Sequence, residues 1–421
     1  MKIQPHISYK DNTMHMEQVS ITAIAKVIPT PFYCYSASAI KDCYLDYKNA
    51  FSQQDTLICY AVKANSNQAI LALLANLGAG ADVVSEGEIR RALKAGISAD
   101  KIVFSGVAKK ESEIIFALNN NILQFNVESE PELTLISEIA SKLNKVAAIS
   151  IRVNPNVCAN THAKITTGKS ENKFGIPIAK AREVYKYAAS LSGIKVQGVD
   201  VHIGSQLTDL QPFEQAFAKV AEFTTLLKSD GHDISVIDVG GGLGIDYDEN
   251  ETPPNKDAYA ALVNKQLGHL NCKIIVEPGR SIVGNSGVLV STVVYVKKGE
   301  ERQFLIIDAG MNDLIRPSMY DAYHQIKPIN HTNDKTECYD VVGPVCETGD
   351  TFTKNRALPT TQAGDLVGIL SCGAYGSVMA SSYNTRLAAP EVMVQDDHFS
   401  VIRARPTYDD IINQDTIPEW L

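Results

Sequence analysis

Between about residues 55 and 280, short and continuously apolar runs alternate with stretches whose apolar residues recur at helical spacing. The apolar runs fall at 57–62, 81–85, 101–105, 123–127, 147–153, 196–203, 235–239 and 273–276. Strands apolar at every position, rather than at every second one, are parallel strands covered on both faces. The stretches between them carry the stripe of an amphipathic helix: Ile70, Leu73, Leu74 and Leu77; Leu133, Ile136, Ala140 and Leu143; Phe213, Phe217 and Val220. Eight strands, each followed by a helix, predict an α/β fold, the closed (β/α)8 TIM-type barrel. A doubly wound open sheet is the alternative. It is disfavoured because no G-x-G-x-x-G follows the first run and because chemically distinctive residues recur at nearly every strand end.

Beyond residue 281 the rhythm changes. The runs at 288–296, 303–308, 339–342, 366–371 and 391–403 read as strands without long helices between them, which predicts an all-β domain of sandwich or barrel-like form. The strand-like run at 30–35 precedes the first barrel unit and is expected to pair with that later domain. The predicted division is a barrel at 36–280 and a β domain made of 1–35 and 281–421.

Composition narrows the class. The chain has 421 residues, 45% apolar and 21% charged, with a net charge of −9 spread without long single-sign runs. This describes a soluble globular protein and argues against a nucleic-acid or anionic-membrane surface. The N-terminal residues lack the apolar core of a secretion signal, and no stretch is long enough to span a bilayer. Eight scattered cysteines without a C-x-x-C pair or Cys/His cluster predict neither a disulfide framework nor a metal site, and a reducing cytoplasmic location.

In a (β/α)8 barrel the C-terminal strand ends converge on one face, so residues distant in sequence share a pocket. The first strand delivers Lys63 between small residues, where partial desolvation would lower its pKa and favour the neutral amine of Schiff-base chemistry. The second delivers Asp82, the fifth Arg152 and Asn154, and the sixth His202, Gly204 and Ser205. The seventh ends in Gly240-Gly241-Gly242 with Gly244, and the eighth in Glu277-Pro278-Gly279-Arg280. The glycine run is either a phosphate loop or a tight strand-to-helix turn; Ser205 and Arg280 favour phosphate. Glu277, after an apolar strand, needs a partner, either a protonated ring nitrogen or a core salt bridge to Arg280 or Arg152. His202 is either a core histidine or a ring stacked on a flat cofactor. Lysine, phosphate loop, carboxylate and stacking imidazole together describe pyridoxal 5′-phosphate.

At this point the chain resembles the fold-type III pyridoxal-phosphate-dependent decarboxylases, the family with an alanine racemase-like barrel, and within them the branch that acts on meso-2,6-diaminopimelate. The resemblance covers nearly the whole chain, through YAVKAN at 60–65, HIGSQ at 202–206, DVGGGLGI at 238–245, EPGRSIVGNSG at 277–287, DAGMNDLIRPSMYDAYH at 308–324, GPVCETGD at 343–350 and GAYGSVMASSYN at 373–384. It implies that Lys63 carries the cofactor and His202 stacks on it. Gly241, Gly242, Ser205 and the backbone of Glu277, Pro278, Gly279 and Arg280 would hold the phosphate, with Asp82, Arg152 and Tyr375 also at the cofactor. Glu277 would pair with the ring nitrogen. Arg280, Arg316, Tyr320 and Tyr375 would meet the substrate. Cys346, the third catalytic residue beside Lys63 and His202, and Glu347 would arrive from the second subunit of a homodimer with shared active sites. Lys173 would pair with Asp350 across that interface, and 156–172, with His162, would form a lid.

Two arginines and a tyrosine suit a carboxylate tail, and a glutamate beside them suits an ammonium. The implied reaction is therefore decarboxylation of meso-2,6-diaminopimelate to L-lysine, the last step of lysine biosynthesis, with no metal. The rival is a same-fold decarboxylase of carboxynorspermidine, ornithine, arginine or a carrier-bound substrate. Glu347 separates the two, because enzymes of this fold for basic amino acids usually carry aspartate there.

Overall fold

The computed structural model describes residues 2–157, 173–248, 252–331 and 335–421. The chain divides into two compact units, Lys41–Asp246 with Glu251–Ile282, and Met1–Ile40 with Tyr247–Asn250 and Val283–Leu421.

The first unit is a closed barrel of eight parallel strands: β1 (Thr56–Ala61), β2 (Gly80–Val83), β3 (Ile102–Phe104), β4 (Gln124–Val127), β5 (Ala147–Asn154), β6 (Ile194–Asp200), β7 (Val236–Asp238) and β8 (Lys273–Val276). Closure comes from β8 pairing with β1, Ile274 opposite Thr56, and from β4 pairing with β5, Phe125 opposite Ile149. Every residue of β2, β3, β4 and β7 is buried, as the continuously apolar runs predict. Most strands stop one to three residues short of the apolar run. Val62 to Ala64 form a 3-10 turn instead, and 201–203 lie beyond β6. The chain leaves the ladder early there, which carries Lys63 and His202 on the turns and not on the strands.

The helices follow the predicted stripes with small rotations. Helix Gln211–Ser229 buries Phe213, Phe217 and Val220. Helix Gln68–Asn76 buries Ile70, Leu71 and Leu74, while Leu73 and Leu77 are only half-buried. Several helices are started by short polar side chains: Ser85, Ser129 and Asn255 each accept a first-turn backbone N–H. One expectation fails. No long helix follows β8, only the single turn Arg280–Val283. The helix Ala37–Ala50, which precedes β1, packs there instead: the Tyr47 and Ser281 hydroxyls are 2.7 Å apart, and Phe51 meets the edge of Tyr259.

The second unit is built on a nine-stranded sheet in which Gly287–Lys298 is central, pairing with Gln303–Ile307, Leu366–Ile369 and Phe32–Ser36. The N-terminal strand therefore joins this sheet as expected, between Gly287–Lys298 and Glu391–Gln395. Three differences from the sequence reading stand out. The run at 391–403 is two strands, Glu391–Gln395 and His398–Arg403, because Asp396 takes a turn conformation with φ +54°. Strand Thr351–Pro359 has too many polar residues for its apolar pattern to be seen. The N-terminal residues form a four-stranded meander whose Ile7, Met14 and Met16 pack with Phe32, Cys34, Val288 and Val392.

Candidate active site

Lys63 leaves the turn after β1 and its Nζ donates to Asp82 Oδ2 at 2.8 Å. Asp82 is fully buried on β2, whereas the Lys63 side chain is 38% exposed. The amine is therefore ion-paired and only partly exposed. The turn itself is pinned by the Tyr60 hydroxyl, which donates to the Asn65 carbonyl at 3.0 Å.

The glycine run after β7 is held from three sides. Glu277 N–H donates to Gly240 O at 2.8 Å, and Leu207 N–H donates to Gly242 O at 2.9 Å. The Gln206 side chain clamps Ile245, donating to its carbonyl at 2.6 Å and accepting from its N–H at 3.2 Å. A Cβ on Gly241 would lie 2.2 Å from the Glu277 carbonyl oxygen, and Gly242 has φ +110°, so neither position tolerates a side chain. The Gly241 N–H donates to His202 Nδ1 at 3.2 Å. That amide is thus used within the protein, and what Gly241 contributes to the loop is close backbone approach. With Nδ1 accepting, the His202 proton resides on Nε2. Burial, reinforced by Arg152 and Lys63, holds the imidazole pKa well below its usual value, so the ring is neutral.

Arg280 Nη2 donates to Ser205 Oγ at 3.2 Å, bringing the two expected phosphate groups together. Pro278 O accepts from Ala61 N–H at 3.2 Å, and Gly279 sits against Ala61 and Ala64, which ties the end of β8 to the lysine turn. Arg152 does not reach Glu277. Its Nη1 donates to Glu128 Oε1 at 2.8 Å and its Nη2 to the His202 carbonyl at 3.4 Å. Glu277 is instead joined to Asp238, and Asn126 donates to both, at 3.1 Å to Asp238 and 3.4 Å to Glu277. The core salt bridge considered for Glu277 is therefore not what holds it.

In the second unit, Arg316 opens the short helix Arg316–Tyr320 and is 7% exposed. Its Nε donates to His324 Nε2 at 3.3 Å, its guanidinium lies 5.2 Å from the Tyr247 ring centre, and Tyr247 meets His324 edge-on. Tyr320 is half-buried. Cys346 and Glu347 are exposed on a turn, where Asn384 accepts from the Cys346 N–H and Tyr383 hydrogen-bonds Glu347. Tyr375 has φ +56°, rare for an aromatic residue. Asp350, expected opposite a partner subunit's lysine, is 2% exposed within this chain, and its oxygens accept from Met311 and Val345 N–H, both at 2.6 Å. The expected lid at 156–172, with His162, lies mostly outside the described residues.

Residues 37–284 match the family model for the pyridoxal-binding domain of pyridoxal-dependent decarboxylases. A diaminopimelate decarboxylase of Zymomonas mobilis is 45% identical over 418 residues, 98% of this chain and 99% of that protein. The chain belongs to the diaminopimelate decarboxylase family. Among solved structures, the diaminopimelate decarboxylase of Helicobacter pylori complexed with L-lysine superposes with a TM-score of 0.90 at 48% identity, covering 93% of this chain and 98% of that one. That of M. jannaschii in co-complex with L-lysine gives 0.95 at 38% identity, covering 99% of each.

The cofactor of this diaminopimelate decarboxylase family member is pyridoxal phosphate, and the barrel mouth fits it. Burial first, then the charges of Asp238, Asp82 and Asp200, push the Glu277 carboxyl well above its usual range. Burial likewise lifts Asp238 to about 6 and raises Asp200, and the buried Asp82 Oδ1 and Asp200 Oδ1 have no hydrogen-bond partner. Four crowded carboxyls are short of positive charge, which a protonated ring nitrogen supplies. The glycine loop with Ser205 and Arg280 offers the close backbone and cation that a phosphate requires.

Sequence reasoning missed Asn126, Glu128 and Asp200 as parts of this site. A buried asparagine inside the run at 123–127 was the available signal for the first. Glu128 lies one residue past β4, and nothing local marks it. His324 and Tyr247 were missed as the surroundings of Arg316, the former although it stands inside a quoted motif.

Proposed function

We propose that this chain decarboxylates meso-2,6-diaminopimelate to L-lysine and carbon dioxide as the last step of lysine biosynthesis, working as a cytoplasmic homodimer with shared active sites. When bound, pyridoxal phosphate supplies the electron sink for the pair left by the departing carboxylate. Lys63 would be the residue that holds the cofactor, its amine placed by Asp82. Neutral His202 would face the ring, and Glu277 would hold the proton of the ring nitrogen. Ser205, Gly241, Gly242 and the 277–280 backbone seat the phosphate, with Tyr375 as a further contact; Asp82 and Arg152 orient Lys63 and His202.

The observation that carries the substrate reading is Arg316, an arginine 7% exposed and fixed between His324 and Tyr247. A guanidinium so confined suits a planar carboxylate through two parallel hydrogen bonds. Arg280, Arg316 and Tyr320 bind the distal carboxylate, and Glu347 binds the distal ammonium. Cys346 holds the proton delivered to the carbon that loses its carboxylate. The exposure of Cys346 and Glu347 within one chain favours their service to a partner's site.

The test is to incubate the purified protein and pyridoxal phosphate with meso-diaminopimelate, and separately with ornithine, arginine and lysine, and to measure carbon dioxide release. Release from diaminopimelate alone supports the reading. Comparable release from ornithine or lysine replaces it with the basic amino acid reading.

A further inference from the structure

Behind the barrel mouth lies an ion pair to which the chemistry above gives no task. Lys109, in the loop after β3, has a side chain only 1% exposed, and its Nζ is 2.6 Å from Glu132 Oε1. The same ammonium donates to the Gly106 carbonyl at 2.7 Å and to the Asn126 carbonyl at 2.8 Å, so three acceptors meet its three protons. The other Glu132 oxygen accepts the Glu128 N–H at 2.8 Å. The pair thus grips the backbone on both sides of Val127, where β4 ends.

Both residues flanking Val127 face the cofactor site. Asn126 sends its side-chain amide to Asp238 and Glu277. Glu128 takes Arg152 at 2.8 Å and the Gly175 N–H at 2.7 Å, and Arg152 in turn donates to the His202 carbonyl. One buried pair therefore stands behind the carboxylate side of the site and behind its imidazole side. Taking a lysine and a glutamate out of water is costly, and the hydrogen bonds the pair makes in return hold the backbone at Asn126 and Glu128 in one place.

We propose that Lys109 and Glu132 are positioning residues for the cofactor, setting through β4 where Glu277 and His202 meet the ring. The proposal rests on the cofactor reading above. It is tested on holoenzyme of the wild type, Lys109→Met and the double variant Lys109→Met/Glu132→Leu. Three quantities are measured: the thermal midpoint, cofactor loss on serial dilution, and the visible circular dichroism of the bound cofactor, which reports the asymmetry of its seat. Lys109→Met leaves Glu132 buried and unpaired, so it lowers both the midpoint and the affinity. The double variant removes the unpaired charge but leaves the Gly106 and Asn126 carbonyls and the Glu128 N–H without their side-chain partners, so it regains only part of the midpoint. It binds cofactor about tenfold more weakly, the scale seen when the residue behind a ligand is lost. Its dichroic band stays altered at saturating cofactor. A double variant that regains wild-type affinity and band overturns the proposal. If the double variant does not fold, Glu132→Gln, which keeps the shape, decides: an altered band and weaker binding support the proposal, and wild-type values overturn it. A wild type without any visible band would remove the cofactor reading itself, which is a separate failure.

Discussion

Lys63 and Asp82 face each other across 2.8 Å, the lysine from the turn after β1 and the aspartate from the interior of β2. The aspartate is fully buried and the amine partly open, so the pair holds the lysine in place while leaving it reachable. Borohydride treatment of the holoenzyme is accordingly expected to fix the cofactor to Lys63, as read by peptide mapping. Lys63→Ala is expected to fold, by far-ultraviolet circular dichroism, and to lose on the order of a thousandfold or more in kcat. A label on any other residue would falsify the assignment.

Gly241→Ala tests the loop after β7. Its Cβ would meet the Glu277 carbonyl oxygen at 2.2 Å, a backbone atom that cannot swing aside. The loop must shift, and the Gly241 N–H then leaves His202. Cofactor absorbance is expected to be lost at concentrations that saturate the wild type. Full retention of cofactor would show that the loop yields without consequence.

Cys346 and Glu347 stand exposed in the second unit, while Lys63 and His202 belong to the barrel. With sites shared between subunits, Lys63→Ala and Cys346→Ala chains, each inactive alone, regain part of the activity when mixed and allowed to exchange, because a hybrid dimer contains one intact site. Demonstrated exchange without recovered activity would place the whole site in one chain.

Glu347→Gln is expected to keep cofactor absorbance and to lower kcat/KM for diaminopimelate roughly tenfold to a hundredfold, since only the distal ammonium loses its partner. Arg316→Ala is expected to harm diaminopimelate more than any substrate that lacks the distal carboxylate. Equal losses for diaminopimelate and ornithine on Arg316→Ala would show that Arg316 does not read the distal carboxylate, and an unchanged kcat/KM in Glu347→Gln would remove Glu347 from the distal ammonium.

Asp313 supplies a pH test away from the cofactor. It is 1% exposed, accepts the Gly310 N–H at 3.0 Å, and has been pushed up to about 6 by burial. A carboxyl raised above its unfolded value favours the folded state while protonated. That contribution is complete below about pH 4 and is lost as pH rises to about 6. Asp313→Asn, which keeps an acceptor and cannot ionise, is expected to unfold at higher urea than the wild type at pH 7.5, by up to about 3 kcal/mol, and at similar urea near pH 4. An asparagine variant weaker than the wild type at pH 7.5 would show that the charged form is stabilised in place.

Much of the architecture is legible in the residues. Eight apolar runs with helical stripes between them specify a closed barrel because only strands covered on both faces are apolar throughout. That the N-terminal strand joins the later sheet also follows from pattern, whereas its place beside Gly287–Lys298 does not. Thr351–Pro359 was not legible because an exposed face leaves it mostly polar. The helix Ala37–Ala50 could not be assigned its role after β8, since local sequence does not say which neighbour fills an empty groove.

Which chemical groups the strand ends carry is written in the residue order: Lys63, Asp82, Arg152, His202, the glycine run, Glu277 and Arg280. Residue type and position suffice for that, because barrel topology brings strand ends together whatever lies between them. Which of these groups pair is settled by packing in three dimensions. Glu128 takes Arg152, Asn126 bridges Asp238 and Glu277, and Asp350 turns inward to Met311 and Val345. A buried charge settles on whichever partner folding brings within about 3 Å, because the cost of leaving it unpaired exceeds any local preference. That distance is a property of packing, and no spacing along the chain encodes it.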